Sequence, residues 1–481
     1  MQFNSYSYLL LLGACAALYW RLPFRFRRGY VLLLSALFYA AWKPSYLWIP
    51  ILLCGVVYWC GTRMAAAGPR AGAYLRCGIG FTVGLLVFFK YRVFLAQNLN
   101  GLLAGLHVPP IPAGLWIALP LGISFYSFEA VSYLLDKRQG RIKGESLADL
   151  ALFVSFWPHM IAGPIVRFRE LIPQFRTEKK WDWPMLTQGL DRLIWGLVQK
   201  NLLANSLAAW VEEGFAGHSY AANSSTDNWV LAAAFGLQIY FDFAAYSNMA
   251  IGAANLIGIT LPENFRTPYH AANPAEFWSR WHMTLSRWIR DYLFFPLNAR
   301  HPDAGARLYL SLIGIMAVVG LWHGAGWGFV LWGILHGVYL TVYRMWERWT
   351  EAHPAPWKRS GAVRLGWRAA TLVGVLAAWI PFRASSLHQC LAMLREMFFG
   401  FHFTRLSFSA NFYLGTGAIA VFCALEPLLL AAVEWLERAA QKHQTAWVAH
   451  AILLRPLVYA VGLLLFMIFD DRNVQFIYFQ F

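Results

Sequence analysis

Charged side chains are scarce in this chain of 481 residues, because Asp, Glu, Lys and Arg together make up only 13% of it. Hydrophobic residues make up 59%. Several apolar stretches approach the roughly 20 residues that a membrane-spanning helix requires. This composition excludes a soluble globular protein. It predicts an all-α polytopic membrane protein with about ten to twelve transmembrane helices, supplemented by re-entrant and amphipathic helices.

Acidic side chains are the scarcer of the two charged classes. The 24 Asp and Glu residues face 40 Lys and Arg residues, which gives a net charge of +16. A basic balance can indicate nucleic-acid binding, but in a membrane protein basic cytoplasmic loops that face anionic lipid explain it better. We therefore expect membrane lipids as partners and no nucleic acid. The same loop asymmetry puts both the N-terminus and the C-terminal tail outside the cytoplasm.

Cysteine pairs at the spacing of metal or redox sites are missing. The six cysteines are scattered, none has CxxC spacing, and most lie in apolar stretches, so we expect small core residues without disulfides or zinc. The N-terminal sequence MQFNSYSY lacks the basic region of a signal peptide, which favours a retained first helix. No internal repeat or long linker is visible, so residues 1–481 are predicted to form a single integral domain.

Two connecting segments have distinctive charge patterns. Residues 146–171 have basic residues on both sides, which predicts a re-entrant segment that enters the membrane and returns, broken at Pro158 and at Gly163. Residues 98–114, NLNGLLAGLHVPPIPAG, carry no Lys, Arg, Asp or Glu. They are predicted to form a loop on the outer side.

Residues 308–345 contain two apolar arms that meet at a glycine-rich break with His323. The first arm, Leu308–Trp322, would span about 22 Å as a helix, against a bilayer core of roughly 30 Å. An ionisable side chain within the membrane indicates a functional site. An imidazole there suits proton transfer, for example from an attacking hydroxyl. The alternative is that His323 only hydrogen-bonds a neighbouring helix.

The segment 274–295 has helical periodicity and predicts one amphipathic helix at the membrane interface, with His282 on its apolar face. His282 is either a satisfied core histidine or a second functional residue. His336 lies in the second arm of the hairpin and is interpreted as structural. A metal site formed by the three histidines is disfavoured, because HExxH and carboxylate–histidine spacings are missing.

Two further polar residues lie in apolar surroundings. Asp242 is costly in a membrane and requires a partner; it either makes a structural hydrogen bond or orients groups of a cavity. His159 in the predicted re-entrant segment either lines a cytoplasmic donor site or marks a hinge.

Five stretches together resemble, in order, the motifs of the bacterial membrane-bound O-acyltransferases, and most closely their alginate O-acetyltransferase branch. The D-alanyl transferases of teichoic acid modification are more distant members. The similarity is densest between residues 115 and 345. The stretches are WPHMIAGPIVRF, YFDFAAYSNMAIG, ENFRTPY, EFWSRWHMTLSRWIRDYLFFPL and GLWHGAGWGFVLWGILHG.

This resemblance implies that His323 is the catalytic histidine and that His282 faces it across a central tunnel, with Trp322 among the cavity residues. It also implies acetyl-CoA as a donor substrate from the cytoplasm, with no bound cofactor or metal. The protein would lie in the bacterial inner membrane. A periplasmic acetyltransferase partner would complete transfer to a polysaccharide.

The sequence departs from the family pattern at two places. Ser247-Asn248 stands where relatives often have Ser-Asp, and the segment 298–301, NARH, replaces a Gly-Gly-Asn-Arg turn. The C-terminus, IYFQF, also resembles this branch. By similarity Tyr478 is either an acyl carrier or an aromatic anchor at the membrane interface.

Three classes of function follow from these patterns. The favoured one is O-acetylation of an extracytoplasmic polysaccharide such as alginate or cellulose, and peptidoglycan is an alternative acceptor. A proton-coupled transporter or flippase could use buried His282, Asp242 and His323 as a proton relay, although inverted repeats are missing. A lipid-anchored polymer-binding module fits the histidines less well.

Overall fold

Helices supply the regular structure of this protein, and no β-strand occurs within the described ranges. The predicted all-α class is confirmed. The computed structural model describes residues 3–66, 68–110, 117–216, 223–299, 305–442, 455–469 and 474–477. The α-helices are α1 Tyr6–Arg21, α2 Phe24–Ala40, α3 Trp48–Ala66, α4 Ala71–Leu86, α5 Arg92–Gly105, α6 Ile123–Arg138, α7 Leu147–Ser155, α8 Phe168–Arg176, α9 Trp183–Val198, α10 Asn205–Phe215, α11 Ser225–Asn255, α12 Pro274–Arg280, α13 Met283–Ile289, α14 Phe295–Asn298, α15 Gly305–His323, α16 Trp327–Ala352, α17 Gly361–Arg383, α18 Leu387–Arg395, α19 Ala410–Lys442 and α20 Arg455–Phe469.

Short turns of other helical types connect several of these helices. Single π-helical turns often occur at functional sites, because the additional residue changes the direction of the side chains. The π-helical turns in the described ranges are Val87–Tyr91, Gln199–Ala204, Arg290–Phe294 and Glu396–Gly400. The 3-10 turns are Pro44–Tyr46, Gly68–Arg70, Pro268–His270 and Pro356–Arg359.

Several helical segments are long and apolar enough to cross a bilayer. Six such segments occur in the described residues, and α20 is a shorter apolar helix. The protein is thus a multi-pass membrane protein, whereas the number of about ten to twelve spans stays a prediction. The six segments are Pro44–Ala66, Gly68–Gly105, Ser225–Asn255, Gly305–His323, Gly361–Arg383 and Ala410–Leu436.

The predicted outer loop at residues 98–114 is wrong in its first half, because α5 continues to Gly105. Leu and Ala are strong helix formers, and the three leucines and one alanine of residues 98–105 offset the two asparagines and two glycines of this stretch. The Asn98 side chain also donates to the carbonyl oxygen of Phe94, one turn earlier, at 2.7 Å. The absence of charge therefore did not mark the end of the helix.

The chain divides into two compact units. The first unit comprises Met1–Leu193 and Met249–Pro262, and the second comprises Ile194–Asn248 and Glu263–Phe481. The single integral domain stays a prediction. In the first unit α3, α4 and α6 pack closely: a Cβ atom on Gly78 would lie 2.7 Å from a methyl group of Leu134. Small residues bring membrane helices together in this way.

The predicted breaks at Pro158 and Gly163 are present in the first unit. Helix α7 ends at Ser155, α8 begins at Phe168, and the residues between them are non-helical and buried. The N–H of Trp157 donates to the Ser35 hydroxyl at 3.3 Å, which satisfies one backbone group of this segment. Irregular backbone is tolerated at such depth when protein surrounds it.

In the second unit α15 and α16 form a tight hairpin. A Cβ atom on Gly320 would overlap the carbonyl oxygen of Phe329, and one on Gly333 would overlap the carbonyl oxygen of Met316. A Cβ atom on Gly337 would lie 2.6 Å from the Cα atom of Ile313. The glycines therefore allow the two backbones to touch, and their contacts fix the register of the hairpin.

Candidate functional site

His323 is the last residue of α15, at the break that the glycine-rich pattern predicts. The chain turns through Gly324 to Gly326, where the N–H of Gly326 donates to the carbonyl oxygen of Gly324 at 2.9 Å. Helix α16 then starts at Trp327. The His323 side chain is therefore carried on the rigid end of a helix and not on a mobile loop.

Aromatic rings surround His323. The centroid of its ring lies 4.8 Å from Trp322, 5.1 Å from Trp332 and 5.4 Å from Phe382. Only 5% of His323 is exposed. Such a wall excludes water, which strengthens electrostatic interactions and protects a reactive intermediate from hydrolysis.

The single amphipathic helix predicted over residues 274–295 is wrong at its centre. Helix α12 ends at Arg280, α13 begins at Met283, and His282 between them has a φ of 42° in the left-handed region. The predicted apolar stripe is nevertheless buried, including Trp281 and Leu285. The break therefore keeps the apolar side chains inside while it changes the direction of His282.

Hydrogen bonds that Asn264 accepts from residues after His282 explain this break. Its backbone carbonyl accepts from the N–H of Met283 at 2.9 Å, and its side-chain oxygen accepts from the Thr284 hydroxyl at 2.9 Å. The Asn264 amide nitrogen donates to the Ser247 hydroxyl at 3.1 Å, which fixes the orientation of the amide. These long-range bonds replace the ordinary helical ones around His282.

The same amide determines which nitrogen of His282 carries the proton. His282 Nδ1 lies 3.0 Å from the Asn264 side-chain oxygen, which can only accept, so Nδ1 is the donor. In the neutral ring Nε2 is then an acceptor. Among the described residues this buried atom has no hydrogen-bond partner. His282 thus offers a lone pair for a donor group of a substrate.

The structure brings His282, Trp322 and His323 together. The Trp322 ring contacts both imidazoles, with centroid distances of 6.4 Å to His282 and 4.8 Å to His323. His336 belongs to the same aromatic array, 4.8 Å from Trp332. Within the described part of the chain, no group of three or more His, Cys, Asp or Glu side chains could hold a metal ion.

Asp242 has the partner that its burial requires. One carboxylate oxygen lies 2.6 Å from the Lys200 ammonium, and the other accepts from the N–H of Ile477 at 2.8 Å. Sequence reasoning missed Lys200, although a lysine inside a predicted membrane-spanning segment is itself a signal. Tyr478, the possible acyl carrier, lies outside the described residues.

His159 belongs to the first unit, where it pairs with Glu129. Its Nδ1 lies 2.9 Å from a carboxylate oxygen of Glu129, and both side chains are buried. Sequence reasoning did not identify Glu129 as the partner of His159. The role of His159 in a donor site stays a prediction.

Comparison with known proteins points to one family. Residues 38–375 match the family described as MBOAT, membrane-bound O-acyltransferase family. The chain is 37% identical over 406 residues to the probable alginate O-acetylase AlgI of Azotobacter vinelandii, which covers 83% of this chain and 78% of that protein.

Two other relatives are named for different activities. The peptidoglycan O-acetyltransferase of Helicobacter pylori is 33% identical over 403 residues, covering 77% of this chain and 74% of the relative. The teichoic acid D-alanyltransferase of Bacillus subtilis is 29% identical over 244 residues, covering 48% and 61%. The chain belongs to the membrane-bound O-acyltransferase family, and it is a multi-pass membrane enzyme that transfers an acyl group.

Proposed function

We propose that this enzyme takes acetyl from acetyl-CoA on the cytoplasmic side of the bacterial inner membrane and delivers it for O-acetylation of an extracytoplasmic polysaccharide. The observation that carries the proposal is the buried position of His323 at a helix end, enclosed by aromatic rings. A positioned imidazole is suited to general-base catalysis, and the exclusion of bulk water protects the thioester from hydrolysis.

In the proposed reaction His323 acts as the general base. A ring nitrogen takes the proton of an acceptor hydroxyl while the hydroxyl oxygen attacks the carbonyl carbon of the acetyl thioester. The carbon–sulfur bond then breaks, and the imidazolium returns its proton to the departing thiolate. The products are an O-acetyl ester and free coenzyme A, so atoms and charge balance.

The tautomer of His282 restricts its contribution. An Nε2 lone pair repels an oxyanion but accepts a hydrogen bond from a hydroxyl group. We therefore propose that neutral His282 accepts a hydrogen bond from a donor group of the bound substrates other than the reacting hydroxyl, whose single proton goes to His323, and that it orients the substrates in this way. In that tautomer it does not stabilise the negative charge of the intermediate.

The acceptor is proposed from the names of the relatives. The similarity to an alginate O-acetylase and to a peptidoglycan O-acetyltransferase supports a glycan hydroxyl as the final acceptor. We propose that a periplasmic acetyltransferase partner completes the transfer to it. The first acceptor is either the Tyr478 hydroxyl or a hydroxyl of another molecule. The family match favours this enzyme over the transporter interpretation.

The proposal is tested with purified protein in liposomes that receives labelled acetyl-CoA from the cytoplasmic side. We expect His323→Ala to lower the rate of thiol release by about 10²- to 10⁴-fold, because it removes the general base. If the wild-type protein becomes labelled and both His323→Ala and Tyr478→Phe do not, the result would identify Tyr478 as the carrier. Label that persists in Tyr478→Phe would exclude that role while the enzyme assignment stands.

The matched control is His353→Ala, because His353 is an exposed histidine at the end of α16. This variant should release thiol at the wild-type rate. Wild-type activity in His323→Ala would show that the general base lies elsewhere.

A further inference from the structure

Residues 474–477 lie in the sequence close to the C-terminal side of α20, a helix that ends at Phe469. Part of this segment is buried in the second unit. Phe476 is 1% exposed and Ile477 is 3% exposed. Their contacts include the buried ion pair of Lys200 and Asp242. Lys200 lies in the π-helical turn after α9, and Asp242 lies in the middle of α11.

The ion pair contacts the main chain of this segment on both sides of Phe476. The Lys200 ammonium donates to the carbonyl oxygen of Gln475 at 3.2 Å, and Asp242 accepts from the N–H of Ile477 at 2.8 Å. The cation therefore binds a main-chain carbonyl oxygen, and the anion binds a main-chain N–H group. Each charge meets the peptide atom of opposite polarity.

The tail also completes the surroundings of both charges. One oxygen of Asp242 is used by Lys200, so the N–H of Ile477 serves the other oxygen. Lys200 is fully buried, and its ammonium reaches the carboxylate, the Gln475 carbonyl and the face of the Phe476 ring at 4.4 Å. Buried charges need such partners on every side, because water is not there to supply them.

One side chain adds selectivity to the main-chain contacts. The Phe476 ring packs edge-on against Tyr246 at 5.4 Å, in addition to its contact with the Lys200 ammonium. An ammonium over an aromatic face is an attractive arrangement. The ligand that fits is a peptide with an aromatic residue between the two bonded peptide groups.

We propose that Lys200 and Asp242 form a peptide-binding site for the main chain of residues 475–477. By holding these residues, the site anchors residues 475–477 to the helices that carry Lys200 and Asp242. The site is separate from the acyl-transfer proposal, since it requires only that the segment be bound. It assigns a function to an ion pair that the proposed chemistry does not use.

Hydrogen–deuterium exchange of the full-length protein in nanodiscs tests this site at the Ile477 amide. The informative variant is Lys200→Met/Asp242→Leu, because apolar residues of similar volume often replace a buried ion pair without loss of stability. We expect exchange at Ile477 to accelerate by about 10- to 100-fold, the effect of losing one or two hydrogen bonds to charged groups.

The matched control is Gln199→Leu/Asn248→Leu. It removes a hydrogen bond of 2.7 Å between the same two segments of the chain, beside the ion pair. Exchange at Ile477 should stay within about threefold of wild type in this variant, because the charges that hold the tail are retained. Equal acceleration in both variants, or none in Lys200→Met/Asp242→Leu, would overturn the proposal.

Amides in the middle of α11 report whether the variant is folded. If they also lose protection, Asp242→Asn replaces the double variant. Lys200 and the N–H of Ile477 use different oxygens of Asp242, and in an asparagine one of these positions becomes an NH₂ group, so one of the two partners loses its acceptor. Exchange at Ile477 should then rise by about 5- to 10-fold, and wild-type protection in a folded Asp242→Asn protein would refute the site.

Discussion

His159 in the first unit and His282 in the second are both buried, and in both the ring Nδ1 has a hydrogen-bonding partner. The partner of His159 is the carboxylate of Glu129 at 2.9 Å, and the partner of His282 is the amide oxygen of Asn264 at 3.0 Å. A carboxylate stabilises an imidazolium, whereas an amide oxygen only orients a neutral ring.

The difference separates two functions that the sequence alone presents as equivalent. The His159–Glu129 pair resembles a structural pair, in which two buried polar side chains satisfy each other by a hydrogen bond. The His282–Asn264 pair leaves a neutral ring whose second nitrogen accepts hydrogen bonds. Burial alone therefore does not distinguish the two histidines; the atom opposite Nδ1 does.

The largest expected effect is a loss of stability in Glu129→Ala, which removes the partner of His159. Removal of one member of a buried pair leaves the Nδ1 atom of His159 without its hydrogen-bonding partner, and we expect a loss of about 3–5 kcal/mol in the free energy of unfolding. Thermal unfolding in detergent, followed by tryptophan fluorescence, measures the change.

The control for that experiment is Glu170→Ala, since Glu170 is an exposed carboxylate that pairs with Arg167 at 3.6 Å. Surface pairs contribute about 0–1 kcal/mol, so this variant should unfold close to wild type. Similar losses in the two variants would mean that the His159–Glu129 pair is not the stabilising element described here.

A smaller effect, on activity, should follow from Asn264→Asp, which gives His282 the kind of partner that His159 has. The carboxylate favours the protonated ring, in which Nε2 donates and no longer accepts. We expect acyl transfer at neutral pH to fall by about 10- to 100-fold, as for other changes to the partner of a functional histidine. The acid limb of the pH–rate profile should move to higher pH.

Asn201→Asp serves as the control, because Asn201 is a buried amide that donates to the carbonyl oxygen of Leu197 within its own helical segment at 3.0 Å. It introduces a similar buried carboxylate without contact to the His282 ring. A pH profile shifted equally in both variants would attribute the effect to added charge and not to His282.

The smallest effect should appear at Asp149, where a carboxylate pairs with cations at the start of α7. Burial alone would raise its pKa, but hydrogen bonds from Arg176 and Ser146 and the charge of Arg28 hold the pKa below its usual value. The resulting stabilisation is present above about pH 4 and is lost as the pH falls through the lowered pKa.

The variant Asp149→Asn should cost about 1–2 kcal/mol at pH 7, where it removes the charged helix cap. Unfolding measured from pH 3 to pH 7 should then show a flatter acid dependence than wild type. A variant that keeps the full acid dependence would place the titrating carboxylate at another residue.

Local patterns in the sequence predicted the two breaks in the helical structure at His323 and near Pro158. The break after His323 follows from glycines placed between two apolar arms, and the break near Pro158 follows from proline and glycine. In both cases the signal lies within a few residues of the feature. Such short-range signals survive folding, because the backbone preferences of Gly and Pro are intrinsic.

Long-range contacts explain what the sequence did not predict. The break at His282 depends on Asn264, 18 residues earlier, and helical periodicity carries no information about that hydrogen bond. The partners of Asp242, namely Lys200 and Ile477, lie 42 and 235 residues away. Charge in an apolar stretch indicates that a partner is needed but does not identify it.

The tight hairpin of α15 and α16 has a consequence for genetics. A side chain at Gly320, Gly333 or Gly337 would collide with the backbone of the opposite helix. In a saturation-mutagenesis screen these three codons should tolerate almost no replacement, although their residues lack side chains that could take part in chemistry. Intolerance to mutation along this hairpin therefore reflects the close approach of two backbones. A measurement of the amount of folded protein will distinguish this cause from a loss of catalysis.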